Sequence, residues 1–140
     1  MKKLIFLTVF IIMAGAIFGQ TLQKGILIGM HVETLIPNPD VTYNQFKDFF
    51  VNKYLPEWNK LFEGDMKVYF AEGERGADDN CVSLLWVFNS VEVRDKYFDK
   101  EGNNTELFNS RAEKFSQSID EELNKLGTFS EKHYTDWIIQ

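Results

Sequence analysis

Ile26-Leu27-Ile28-Gly29-Met30-His31-Val32-Glu33 is the stretch from which the fold is read. Ile26, Ile28, Met30 and Val32 alternate with Leu27, Gly29, His31 and Glu33, and successive side chains of a strand point to opposite faces. Gly25 to Leu35 therefore reads as a strand. Its even positions form an apolar face, and its odd positions form a mixed face carrying His31 and Glu33. Pro37 and Pro39 end it, because neither can donate to a ladder. If the even set faces the helices, Leu27 and His31 fall on the opposite face, together with Tyr69, Leu85 and Val87 of later strands.

The pattern changes at Thr42. Thr42 and Gln45 fit a capping box, and Val41 and Phe46 sit where a hydrophobic staple belongs. Phe46, Phe49, Phe50, Leu55, Trp58, Leu61 and Phe62 then recur at helical spacing. Pro56 lies inside this run and is expected to kink or break the helix near Lys53–Leu55. Gly64 ends the segment. Met66 to Ala71 alternates as a second strand, and Glu72 to Asn80 is a polar loop. Cys81 to Phe88 is apolar on both faces, which marks a central strand. Asn89 or Ser90 caps a short helix with Val91, Tyr97 and Phe98. From Thr105 a longer helix carries Phe108, Ala112, Phe115, Ile119, Leu123 and Leu126 on one stripe, with Gly127 just past its end. Lys132 to Ile139 is rich in β-branched and aromatic residues and closes the chain as a strand.

The order β-α-β-β-α-β implies an α+β, ferredoxin-like domain. Right-handed crossovers place the helices on one face of a four-stranded antiparallel sheet. The first and third strands become central, and the second and fourth become edges. One sheet face then stays bare, and bare apolar area marks an interface. A homodimer through that face is the expected partner arrangement.

Residues 1–19 are read apart from this domain. Lys2 and Lys3 precede an apolar run from Leu4 to Phe18, with small residues Ala14, Gly15, Ala16 and Gly19 near its end. This is a secretory signal pattern, with cleavage expected after Gly19 or Gln20. Residues 20–140 then form one domain of a secreted or periplasmic protein, with no membrane attachment after cleavage. Removing Lys2 and Lys3 and no acid takes the net charge from −6 to −8. That acidity excludes general nucleic-acid binding, which needs a basic footprint. A single cysteine, Cys81, excludes an internal disulfide framework and a cysteine-rich zinc site.

The strand ending Trp86-Val87-Phe88-Asn89-Ser90, the following helix with Arg94 and Tyr97, the order of elements and the closing aromatic strand together resemble the dimeric α/β-barrel superfamily. The resemblance spans essentially residues 20–140. It implies a ligand site in a cleft between helices and sheet. Members include cofactor-free monooxygenases, muconolactone isomerases, haem-dependent enzymes and stress-response proteins, and the fold does not choose among these functions. The haem enzymes of that superfamily typically place a histidine on a helix or in a loop. Here the only histidines, His31 and His133, lie on strands.

His31 and His133 are the candidate catalytic residues, since histidine is the side chain that most readily exchanges protons near neutrality. Their strands are expected neighbours, but sheet register decides whether the two rings share a face. With Glu33 or Asp136 they would make a two-histidine, one-carboxylate set of the kind that binds iron. The bland reading, one hydrogen-bonded strand histidine and one surface histidine, is preferred, and neither a metal nor any other cofactor is expected. Tyr54, Trp58, Tyr69, Trp86, Tyr97 and Trp137 are the candidate ligand-binding residues, able to line an apolar cavity or simply to fill the core. Arg75, in the acidic loop, is read as solvated or paired. The sequence contains no P-loop, dinucleotide fingerprint, nucleophile elbow or H-E-x-x-H motif. The resulting expectation is a binding domain for a small, largely apolar ligand. The alternative is a cofactor-independent monooxygenase or isomerase.

Overall fold

The structure, a computed structural model, describes residues 22–140. The expected leader, residues 1–19, lies outside the described residues. The described chain is α+β, with four antiparallel strands in the order β2-β3-β1-β4. These are β1 Leu27–Pro37, β2 Met66–Glu72, β3 Val82–Phe88 and β4 Gly127–Ile138. The inner strands are β1 and β3, as their apolar content requires. No helix among the described residues is long and apolar enough to cross a membrane.

The helical layer is more divided than two helices. Between β1 and β2 run α1 (Tyr43–Phe49), a π-helical turn (Phe50–Tyr54) and α2 (Leu55–Leu61). Thr42 caps α1 through the expected reciprocal bonds with Gln45. Pro56 does not break the backbone here. The preceding π turn absorbs it, with Leu55 N–H donating to Phe50 O instead of to a carbonyl four residues back. The proline then sits in the first turn of α2, where a missing N–H leaves no bond unmade.

Between β3 and β4 lie α3 (Val91–Tyr97), α4 (Glu106–Ala112) and α5 (Gln117–Leu126). Ser90 is the cap of α3, and Thr105 caps α4. The single long helix expected from Thr105 is interrupted at Ser116, whose backbone is extended. Serine competes for backbone groups and favours caps over helix interiors. Phe115 keeps its place on the stripe and packs against Tyr54 and Trp58, with ring centroids 4.7 and 5.5 Å away.

β4 begins at Gly127, five residues earlier than the Lys132 expected. Gly127 both ends α5 and opens the strand. A Cβ there would lie 2.4 Å from Ile36 O and 2.8 Å from Pro37 Cα. Only glycine lets the helix pass straight into a strand at that separation. The gained residues include Phe129, whose ring meets Phe46 and Phe50 at 5.1 and 4.8 Å.

The register corrects which face of β1 meets the helices. Leu27 is 1 % exposed and packs with Phe62, Met66, Phe88, Tyr97 and Phe108. Leu35 packs against a second cluster of Phe46, Phe50, Leu55 and Val68. The odd positions of β1, His31 among them, therefore face the helices. Ile28, Met30 and Val32 lie on the other face, with Tyr69, Leu85 and Val87 as expected. β1 carries apolar residues on both sides, Leu27 and Leu35 among the odd set, so its period separates two faces without saying which one is covered. Trp58 and Trp86 touch both clusters and join them into one core.

The edge of β2 is closed by a side chain. Asn59 of α2 accepts from Val68 N at 2.7 Å and donates to Val68 O at 2.9 Å. One amide thereby supplies the pairing that an edge strand lacks.

Candidate functional site

A cavity of about 630 Å³ opens on the helix side of the sheet, between β1, β3 and β4 and the α3 segment. Gly29 and His31 of β1, Trp86 of β3, and Glu131, Tyr134 and Asp136 of β4 form its sheet wall. Arg94 of α3 and the Phe98–Gly102 turn form the opposite wall. Asp99 holds that turn by accepting from the backbone N–H groups of Glu101 and Asn103 at 3.0 and 2.8 Å. The Asn103 side-chain amide, donating to Asp99 Oδ2 at 3.0 Å, and then those backbone bonds hold the Asp99 carboxyl below its ordinary range.

His31 comes from the mixed face of β1. Its Nδ1 is 2.7 Å from Glu131 Oε2, and its ring lies 4.5 Å from Tyr134 and 5.7 Å from Trp86. A carboxylate only accepts, so Nδ1–H is the donor, and in the neutral ring Nε2 carries the lone pair. Among the described residues Nε2 has no hydrogen-bond partner.

A β-bulge brings Glu131 to this place. Tyr134 pairs with His31 and His133 with Val32, but Glu131, not Lys132, pairs with Glu33. The extra residue reverses the alternation of β4, so Glu131 joins Tyr134 and Asp136 on the helix side. Bulges re-aim side chains in this way and are frequent beside functional sites.

Asp136 lies across from Gly29, and a Cβ on that glycine would come within 3.2 Å of Asp136 Oδ1. Its Oδ2 accepts from Arg94, which also donates to Asp95 at 2.7 Å. Among the described residues Oδ1 is buried without a partner. Burial works against the Arg94 charge, but the bond to Asp95 and the Asp136 and Asp95 charges outweigh it and raise its pKa. Tyr134 is pushed up to about 12, by burial first and then by the Asp136 carboxylate. Glu33 is also raised, by burial and then by the Glu131 charge, against a lowering by His31.

The two histidines are not brought together. His133 pairs with Val32, so it projects from the face opposite His31, where its Nε2 lies 3.8 Å from Asp78. A two-histidine metal set is therefore excluded by register. The aromatic candidates also separate. Trp86 walls the cavity. Tyr54 and Trp58 pack within the core. Tyr97 is fully buried, and its hydroxyl donates to Asp65 at 2.5 Å. Tyr69 and Trp137 lie on the uncovered face, Trp137 exposed and Tyr69 beside a second concavity of about 620 Å³ along the β2 edge. Glu131 and Tyr134 are the site residues that sequence reasoning missed. The only hint was the charged run Glu131-Lys132-His133 inside an otherwise alternating strand, a place where a bulge costs little.

No family model, curated protein or solved structure matches the chain.

Proposed function

We propose that the chain is an exported small-ligand-binding protein of the ferredoxin-like, dimeric α/β-barrel kind. It holds a small aromatic molecule in the cavity walled by Trp86 and Tyr134. One observation carries this reading: a cavity of about 630 Å³ with aromatic walls has a histidine at its base, oriented by a carboxylate. That volume lies in the range of about 300–1,000 Å³ usual for small-molecule sites, and His31, Arg94 and Asp136 are among the polar groups that would orient a ligand there. The β2-β3-β1-β4 order and the helices on one sheet face support the fold reading.

The His31–Glu131 pair favours a second reading, that of an isomerase. Glu131 fixes the tautomer, so Nε2 takes a proton from one carbon of the ligand and returns it to another, with no net oxidation. The monooxygenase alternative would need dioxygen as co-substrate and has no separate support.

The test uses the two histidines as internal probes. Imidazole NMR signals are followed while phenols and aromatic acids are added at millimolar concentration. Saturable shifts of His31 with His133 unmoved are expected. If no compound moves His31 more than His133, the ligand reading fails. Turnover with proton exchange into the bound compound, lost in His31→Gln, separates the isomerase from the binding protein.

The homodimer through the uncovered face belongs to the same proposal. Ile28, Met30, Leu85, Val87 and Trp137 lie there, and its strands contribute no acidic side chain although the chain carries 21. Self-association of an acidic protein is least opposed where acids are absent. Light scattering at micromolar concentration should give twice the chain mass, and a strict monomer refutes it. Export is checked by N-terminal sequencing of the recovered protein, where an intact Met1 would overturn it.

A further inference from the structure

We propose that His31, Glu33 and Glu131 hold a divalent transition-metal ion at the base of the cavity. One imidazole nitrogen and one oxygen from each carboxylate lie within 4.8 Å of one another. Three features of the sheet make this set hard to explain without a cation.

Glu33 and Glu131 are direct cross-strand partners on adjacent strands. Like charges so placed repel and destabilise a sheet. Glu33 is in addition only 7 % exposed, and its carboxylate has no hydrogen-bond partner among the described residues. A carboxylate on a largely buried residue, with no donor bonded to it, is stabilised by a nearby cation. Finally, the bulge removes the obvious counter-ion. In unbroken alternation Lys132 would stand opposite Glu33. Instead Glu131 takes that place, and the Lys132 ammonium lies 2.9 Å from Cys81 Sγ. His31 alone brings at most one positive charge against two carboxylates.

The donor set defines the ion class. One nitrogen and two oxygens suit zinc, manganese or ferrous iron, whereas calcium takes oxygens only. Bonds of about 2.1 Å hold ligand atoms up to about 4 Å apart. The Glu131 side chain, 53 % exposed, is free to close the remaining gap. Three protein ligands leave positions open for water or a ligand atom, and His31 and Glu131 both line the cavity. The ion would replace the Nδ1–H bond or bind through Nε2. Ion binding does not depend on the organic-ligand reading, so either can fail alone.

The experiment uses chelator-stripped protein titrated with Zn²⁺ by calorimetry and with Mn²⁺ by electron paramagnetic resonance. One ion per chain is expected. Glu33→Gln should weaken it at least about 100-fold, since loss of even an outer-shell partner costs about 10–100-fold. His133→Gln should leave it unchanged. Mn²⁺ should broaden the His31 ring signals more strongly, and at a lower Mn²⁺ ratio, than those of His133. Should Glu33→Gln fail to fold by circular dichroism, Glu131→Gln gives the same comparison from an exposed position. Equal affinity in wild type and the glutamine variant, or broadening confined to His133, overturns the site.

Discussion

The two faces of the sheet are built from the same strands and do opposite things. The helix side carries the aromatic core and, beyond it, a cavity ringed by His31, Arg94, Glu131, Tyr134 and Asp136. Among the described residues the other side is covered at one end, where the loop before β3 brings Asp78 near His133 and Cys81 meets Lys132, and where Val32 is buried. The rest of that side carries Ile28, Met30, Leu85, Val87 and Trp137 beside Lys67 and Thr135, with no acid on its strands. Alternation along β1 puts one histidine on its helix face, and alternation along β4 puts the other histidine on the opposite side. The difference teaches that residue type did not decide the roles of the histidines. Register did.

The comparison is tested most severely in the covered core. Phe46 is fully buried between Phe50 and Phe129. Phe46→Ala should cost about 3–5 kcal/mol in denaturant unfolding. A loss comparable to a surface substitution would mean that the helix face is not the packed one.

Gly127→Ala comes next. Its added methyl meets backbone at 2.4 Å, so α5 or β1 must shift. Overpacking of this kind costs about 1–3 kcal/mol, and this site should fall near the upper end.

Tyr97→Phe removes a bond to the Asp65 carboxylate, which Arg111 also contacts at 3.2 Å. Bonds to charged groups contribute roughly 1.5–3 kcal/mol, and the remaining Arg111 contact should keep the loss near the lower figure. The tyrosine also sets an alkaline limit. Burial first, then the bond to Asp65, pushes Tyr97 up from 10.0 to about 12. A raised folded value means that the contribution is whole below pH 10.0 and is lost as pH rises through about 12. Tyr54, likewise pushed up to about 12 by burial and then by Asp120, acts in the same window. Across that window the unfolding free energy should fall less steeply with pH in Tyr97→Phe than in the wild type, so that the gap between the two closes towards about pH 12. An unchanged alkaline limb would remove Tyr97 from the account.

Leu85→Asp should have the smallest effect on the monomer, about 0.5 kcal/mol, because it lies on the uncovered face. Its effect should appear in mass instead, with scattering falling from two chains to one. A large loss of stability with unchanged mass would sharpen the contrast differently, by showing that this face is packed within one chain.

Much of the fold was legible in the sequence. The Thr42–Gln45 box, the Ser90 and Thr105 caps and the alternation of β1 to β3 are local signals, and each marks an element that formed. The β2-β3-β1-β4 order also followed, because both-sided apolar strands belong in the middle of a sheet. The start of β4 was hidden because a helix-ending glycine reads as the start of a loop, and only the approach of Ile36 and Pro37 shows that the chain continues as strand. Of the site, His31 and Trp86 were legible as residues. Glu131 was not, since the bulge that precedes His133 reverses the alternation that a sequence reader must assume.

The sequence by itself determined the strands, the caps, the acidic charge and the presence of only two imidazoles, because these are set by composition and by periods of two and 3.6 residues. The tertiary structure alone decided which face of β1 the helices cover, that His31 and His133 part company, and that Glu33, Glu131 and His31 meet. Those outcomes depend on pairing register between segments about a hundred residues apart, and a one-residue slip sends every side chain of a strand to the other face.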